Sequence, residues 1–411
     1  MTSICELHKC IDELSSTIEH HRSVLRALES QQSDFKSRLN SILDPVTRLP
    51  LEISSVILKQ CLPATPSVHS HQAPAVFLRV CRSWRDIALA TPSMWTTISD
   101  KDVHFRHFDR ALERWVPATG ALPISLLVGT SVGLASVAGF AHRVHVLQLY
   151  RPSLGDLSRV SGQYSALNEL MIGGEHKTGF TIGIRECIEF LEAAPSVSRC
   201  HFLNVAHFSE DDSSIPVLSH PFLQHIFFGL DCDINVASMS LYSHPTMLRY
   251  LTLPNLKTLV IPRLESPSRQ IVEFLSRSSP PLQDLRLRVT RISDMAELYT
   301  LPKYFQHVPE LKNFELGFGP FILFDVLQAV RLLRNPQHIT IFNSVDHSGQ
   351  YKEILDIILA HRTSMQSFRL LSRADLYPKN PVCPDDIANV LRELVRDGMV
   401  IQIGLPEWNI F

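Results

Sequence analysis

The sequence predicts a mixed α/β protein: a long coiled-coil-like N-terminal helix, a small all-α unit, then an α/β array of repeats. Three observations carry this reading. Apolar residues return at steps of three and four as far as Ile42, two short proline-bounded amphipathic helices follow, and from about residue 122 a short apolar unit recurs roughly every 28 residues. The corresponding boundaries are 1–44 for the helix, 45–98 for the all-α unit, 99–121 for a helical connector and 122–411 for the array. Composition agrees with a folded chain: of 411 residues, 45% are hydrophobic and 19% charged, which suits a large core and excludes a mostly disordered polypeptide. Lys+Arg at 39 against Asp+Glu at 41 leave a net charge of −2, which lacks the basic footprint of a nucleic-acid or acidic-membrane binder. Prolines outnumber glycines, 26 to 16, as expected where many short elements must be stopped.

In the first segment, Ile4, Leu7, Ile11, Leu14, Ile18, Leu25, Leu28, Phe35, Leu39 and Ile42 share one register, in which His21 and Gln32 are the polar members. A period of about 3.5 held over this length is that of a coiled-coil seam. The stripe could pair with a second copy, with another protein, or with the rest of the chain, and sequence leaves these open. A polar seam residue such as His21 more often fixes register than senses pH. Asp44-Pro45 ends the helix, because proline disfavours helical geometry in the residue before it.

Leu49-Pro50-Leu51-Glu52 opens the next helix, on which Ile53, Val56, Ile57 and Leu58 form an apolar face that ends at Leu62-Pro63. After a polar loop from Ala64 to Pro74, a second helix places Phe77, Val80, Cys81, Trp84, Ile87 and Ala88 at helical spacing, with Arg79, Arg82, Arg85 and Asp86 opposite. Thr91-Pro92 stops it, and Met94-Trp95 adds an apolar anchor. The run Leu49-Pro50-Leu51-Glu52-Ile53, Ile57-Leu58, Val80-Cys81-Arg82-Ser83-Trp84-Arg85-Asp86-Ile87-Ala88 and Thr91-Pro92-Ser93-Met94-Trp95 resembles an F-box. More narrowly, it is similar to the F-box-like proteins of mushroom-forming fungi, which often carry a helix before the box and leucine-rich-repeat-like units after it. The loop between the two helices is longer than in the plainest F-box pattern.

In the array, units of the form apolar-x-x-apolar-x-apolar begin at Val144, Leu167, Val197, Leu223, Leu256, Leu282, Leu311, Pro336 and Met365, a spacing that falls in the leucine-rich-repeat range. Helical stretches separate them at Ile184 to Ala194, Arg269 to Arg277, Phe324 to Arg334, Tyr351 to His361 and Asp385 to Arg396. The uncharged run from Val116 to Ala141 is long enough for a membrane span, but its prolines and glycines favour a buried strand, Pro123 to Val128, and a helix, Gly133 to Ala141. Strand alternation then directs two rows of side chains away from the core. One is Gln148, Met171, His201, Phe227, Val260, Arg286, Glu315, Thr340 and Arg369; the other is Tyr150, Gly173, Leu203, Gly229, Pro262, Arg288, Gly317, Phe342 and Leu371. Their mixed chemistry suits protein recognition rather than phosphate binding.

Catalytic and metal-binding patterns in the sequence are incomplete. Gly129-Thr130-Ser131-Val132-Gly133 matches a nucleophile elbow, but the nearest acid and base, Asp346-His347, are adjacent in sequence and do not supply triad geometry. His69-x-His71, His104-x-x-His107 and His142-x-x-His145 have no companion ligands at zinc-like spacing, and neither a Walker glycine loop nor H-E-x-x-H occurs. No cofactor, metal or catalytic residue is expected. Eight scattered cysteines, the absence of an Asn-x-Ser/Thr acceptor and a charged N-terminus point to reduced thiols in the cytoplasm or nucleus, with no membrane partner.

The resemblance implies a substrate-recognition subunit of a Skp/cullin/F-box ubiquitin ligase, itself without catalytic activity. It implies that Leu49, Pro50, Ile53, Val56, Ile57, Val80 and Trp84 face a Skp-type adaptor, although Val80 and Trp84 fit the interior of the box equally well. It implies further that Gln148, Tyr150, Met171, His201, Phe227, Arg286, Arg288, Glu315, Phe342 and Arg369 meet a protein substrate. The alternative is a scaffold outside any ligase that dimerises through the N-terminal helix.

Overall fold

In the computed structural model, the residues described are 4–63, 65–66, 71–99, 108–128, 137–150, 164–173, 182–203, 205–206, 215–229, 245–262, 268–289, 299–318, 323–343, 350–372, 383–405 and 408–409. The protein is mixed α/β, with a long N-terminal helix and a large parallel sheet. It divides into two compact units, 1–122 and 123–411.

The first unit opens with α1, Ile4–Leu43, which ends where Asp44-Pro45 predicts. Asp44 then caps the 3-10 turn Pro45–Arg48 by accepting from the Val46 N–H at 2.9 Å, and it also accepts the indole N–H of Trp84. Helix α2, Leu51–Gln60, buries Ser54 and Leu58, and the Ser54 hydroxyl donates to the Val46 carbonyl at 2.8 Å. The second predicted helix is in fact two, α3 Phe77–Val80 and α4 Arg82–Leu89. Cys81 between them is extended (φ −157°, ψ 174°), and its sulfur accepts from the Trp84 N–H, the geometry of an N-cap. Apolar periodicity runs through this break because capping is a matter of one backbone residue. The predicted connector 99–121 belongs to the same compact unit: its helix α5, Phe108–Ala118, carries Trp115 edge-on to Trp95 at 5.1 Å between ring centres. Trp95 is buried, and its indole donates to the Ala88 carbonyl at 2.8 Å.

In the second unit, parallel strands are laid down in chain order: β1 Ile124–Val128, β2 Val144–Leu149, β3 Glu169–Ile172, β4 Arg199–Phe202, β5 His225–Phe227, β6 Thr258–Ile261, β7 Asp284–Arg288, β8 Asn313–Phe318, β9 His338–Asn343, β10 Ser367–Ser372 and β11 Val400–Leu405. A two-residue antiparallel strand, β12 Trp408–Asn409, closes the end, with Gly404 opposite Asn409 and Leu405 opposite Trp408. All nine sequence-derived units hold their register: the second apolar position of each pairs with that of the next, and the third positions do so too except at Phe228, whose N–H instead donates to the Val260 carbonyl; Leu259 and Ile261, for example, pair with Leu285 and Leu287. From Leu147 and Leu149 to Phe368 and Leu370, no residue of these two inner ladders exceeds 1% exposure. Parallel neighbours require crossovers, which bury their own apolar stripes: α6 Ile184–Ala193, α7 Ser268–Ser278, α8 Leu301–His307, α9 Leu323–Val330, α10 Tyr351–Ala360 and α11 Asp385–Arg396. Helix α8 and strand β11 were not anticipated from the sequence. The predicted helix Gly133 to Ala141 is a 3-10 stretch over Ala138–Arg143 where it falls on described residues.

Strands β4 to β10 begin in the same way. The carbonyl before β6, that of Lys257, accepts both the Gln283 and Asp284 N–H groups at 2.8 and 2.9 Å. The Gln283 carbonyl does the same for Lys312 and Asn313, and the Lys312 carbonyl for Gln337 and His338. Three side chains reach back one unit to helix or turn carbonyls. His220 Nε2 donates to Ala194 at 3.2 Å, His361 hydrogen-bonds Val330, and the Arg277 guanidinium donates to Leu248, Arg249 and Leu251 at 2.8 to 3.1 Å. They satisfy carbonyls that the ends of helices leave open. Gly173, at φ 121°, permits the closest approach, since a Cβ there would lie 1.8 Å from the Leu203 oxygen.

Candidate functional site

Two surfaces carry the predicted binding residues. On the first unit, Leu49, Ile53, Val56, Ile57 and Val80 are all exposed, between 38% and 54%, and Leu51 joins them at 48%. Ile53, Val56 and Ile57 share one helical face by their spacing. Leu58, predicted with them, instead turns inward and is fully buried, so it belongs to the core. Pro50 is also exposed and stands as the N-cap of α2. Trp84 differs from the rest: it is half-buried, tilted against Phe77 at 5.8 Å, and tied through its indole N–H to Asp44. Its role in the structure is to fasten the base of α1 to α4. Of the pair that sequence left undecided, Val80 is thus outward and Trp84 largely inward. Arg79, Arg82 and Arg85 are exposed, and Arg85 Nε donates to the Leu78 carbonyl at 2.9 Å.

On the second unit, the outer face of the sheet brings the first predicted row together strand by strand. Gln148 pairs with Met171, Met171 with His201, His201 with Phe227, Phe227 with Val260, Val260 with Arg286, Arg286 with Glu315, Glu315 with Thr340 and Thr340 with Arg369. In the second row, Arg288 pairs with Gly317, Gly317 with Phe342 and Phe342 with Leu371, while Tyr150 donates through its hydroxyl to Gln148 at 2.7 Å. The strands pair in the predicted register, but exposure along the rows is not uniform. His201 and Phe227 are buried, as are Val260 and Leu203. The two rings stack at 4.3 Å with 4° between planes, and the Arg199 guanidinium lies 5.8 Å from the Phe227 centroid, so these groups are covered by neighbours rather than offered to solvent. They present little surface to solvent.

Past these buried positions, the face opens again at β7. Arg286 donates to both Asp284 oxygens at 3.2 Å and lies 3.8 Å from a Glu315 oxygen, so one guanidinium bridges two carboxylates. Arg288 extends its stem across Gly317, where a Cβ would come within 3.2 Å of the Arg288 Cγ. Arg369 is exposed, and Gln148, Tyr150, Met171, Glu315 and Phe342 are half-buried. A third row, absent from the sequence reading, runs two residues before the first: Glu169, Arg199, His225, Thr258, Asp284, Asn313, His338 and Ser367. Its members are linked by His225 to Thr258 at 2.9 Å and His338 to Ser367 at 2.8 Å, and the buried Asn313 Oδ1 has no hydrogen-bond partner. The period-two rule that yielded the other rows was the available signal for this one.

The chemistry available here is recognition by hydrogen bonds and charge. Among the described residues, no group of three or more His, Cys, Asp or Glu is placed to hold a metal ion. His71, His142 and His145 are exposed, whereas His69, His104, His107, Ser131, Asp346 and His347 lie outside the described residues. Burial pushes the thiols of Cys187 and Cys200 up, which disfavours the nucleophilic thiolate. No described helix is long and apolar enough to cross a membrane. No protein-family model matches the chain, and no curated protein matches it.

Proposed function

We propose that the chain is a substrate receptor of a Skp/cullin/F-box type ubiquitin ligase, with residues 45–98 an F-box-like adaptor-binding unit and residues 122–411 a leucine-rich-repeat-like solenoid that captures a protein substrate. The observation that carries this is the exposure of Leu49, Leu51, Ile53, Val56, Ile57 and Val80 around a core, Leu58, Phe77, Ala88, Met94 and Trp95, that is buried without them. Several large apolar side chains on so small a unit mark an interaction surface. The F-box resemblance implies a Skp-type adaptor as the partner. Charged and polar residues on the outer face of the sheet from β7 onward, Asp284, Arg286, Arg288, Glu315, Thr340 and Arg369, are suited to an oppositely patterned protein segment. The receptor acts by proximity, holding a substrate near another enzyme's active site. No residue of this chain is assigned to catalysis.

The test is copurification of the full chain with a Skp-type adaptor. Capture by the wild type, with at least a tenfold loss in Ile53→Asp/Val56→Asp and an unchanged melting curve, is the expected result. Failure of the wild type to capture any such adaptor overturns the reading.

A further inference from the structure

Helix α1 runs 40 residues, about 60 Å at 1.5 Å per residue, and its seam residues from Ile4 to Ile42 are 50% to 74% exposed apart from His21 and Gln32, which are exposed as well. None of them is covered by the described residues of this chain. We propose that this seam is covered by a second copy of the same helix, parallel and in register. In heptad terms, Ile4, Ile11 and Ile18 occupy the a positions and Leu7 and Leu14 the d positions, the combination that favours two parallel strands.

Polar residues choose the orientation. His21 stands at d and Gln32 at a. In a parallel in-register pair, each meets its own copy, polar against polar. In the antiparallel register that overlaps the two stripes from end to end, Gln32 faces Leu14 and His21 faces Leu25, which buries an amide and an imidazole against aliphatic carbon. Flanking positions agree: Thr17 falls beside Arg22, Val24 beside Glu29 and Gln31 beside Lys36, with no like-charge pair, whereas the antiparallel register sets Arg22 against Arg22. The helix surface already has the required relief. A groove is lined by Leu28, Gln31, Gln32, Phe35, Lys36 and Leu39. Of these, Leu28, Gln31, Gln32 and Phe35 form the four-residue hole for an incoming Gln32, and Gln32, Phe35, Lys36 and Leu39 the hole for an incoming Phe35.

This inference does not depend on adaptor binding, since no α1 residue is in the adaptor set. Sedimentation of the full chain across the micromolar range is expected to give twice the 46.5 kDa of one chain, and Leu14→Asp to return it to one chain with an unchanged melting curve. In a Cys10→Ser background, Leu14→Cys alone and Gln32→Cys alone should each form an oxidised dimer. A wild type that stays at single-chain mass overturns the proposal. So does a dimer in which both single variants fail to crosslink while Leu14→Cys/Gln32→Cys succeeds, since that is the antiparallel pair.

Discussion

Apolar periodicity is equally regular in the N-terminal helix and in the array, yet its fate is opposite. Array residues such as Phe314 and Leu259 are at most 1% exposed, while Phe35 on the seam is 66% exposed. Periodicity fixes which side chains must leave water together, not whether their cover lies within the chain. In the array, the next unit supplies it about 28 residues later. In α1 and on the outer face of α2, the described residues of the chain do not supply it. The boundary is sharp enough to fall between adjacent residues, Ile57 at 38% and Leu58 at 0%.

Truncating the same residue type in both regions tests this contrast with the largest effect. Phe314→Ala should cost about 3–5 kcal/mol in denaturant unfolding of the array, through lost burial and a cavity, whereas Phe35→Ala should leave that transition in place. Comparable losses from both would erase the distinction. Next is Arg277, whose guanidinium serves three carbonyls of the preceding unit; Arg277→Ala should cost about 2 kcal/mol in the same measurement and raise hydrogen exchange at the end of the Pro245–Tyr250 turn. An unchanged midpoint would mean that the inter-unit carbonyls are served by water instead.

The smallest effect is of pH. Burial lowers the pKa of His220 and His361 below the ordinary histidine value. The unfolded chain therefore takes up protons first as pH falls, so the stability these residues contribute is complete above the ordinary value, about 6.5, and is lost as pH drops through it. Thermal melts should show the array transition falling by a few degrees between about pH 7.5 and 5.5, with a shallower slope in His220→Gln/His361→Gln. An equal slope in both proteins would contradict it.

Much of this was legible in the sequence, and the omissions have physical causes. The inner ladders and both outer rows follow from one local pattern, which strand pairing preserves. Strand β11 escaped because Gly398, at φ 100°, occupies the position where other units carry an apolar anchor, and the neighbouring Met399 is buried instead. Helix α8 escaped although Leu301, Tyr304, Phe305 and Val308 have helical spacing, because it is only seven residues long. The burial of His201 and Phe227 depends on rings 26 positions apart lying flat on each other, and the fastening of Trp84 depends on Asp44, 40 positions away. Neither distance is visible to a reading based on neighbours.

The short antiparallel β12 has a consequence for the chain's behaviour at high concentration. A parallel sheet extended by one strand at a time has no intrinsic stopping point, and its last edge is a template for further molecules. Reversing direction between Leu405 and Trp408 pairs part of the free side of β11 with β12. At those two positions the exposed side of β11 is no longer open to pairing with a strand from another molecule.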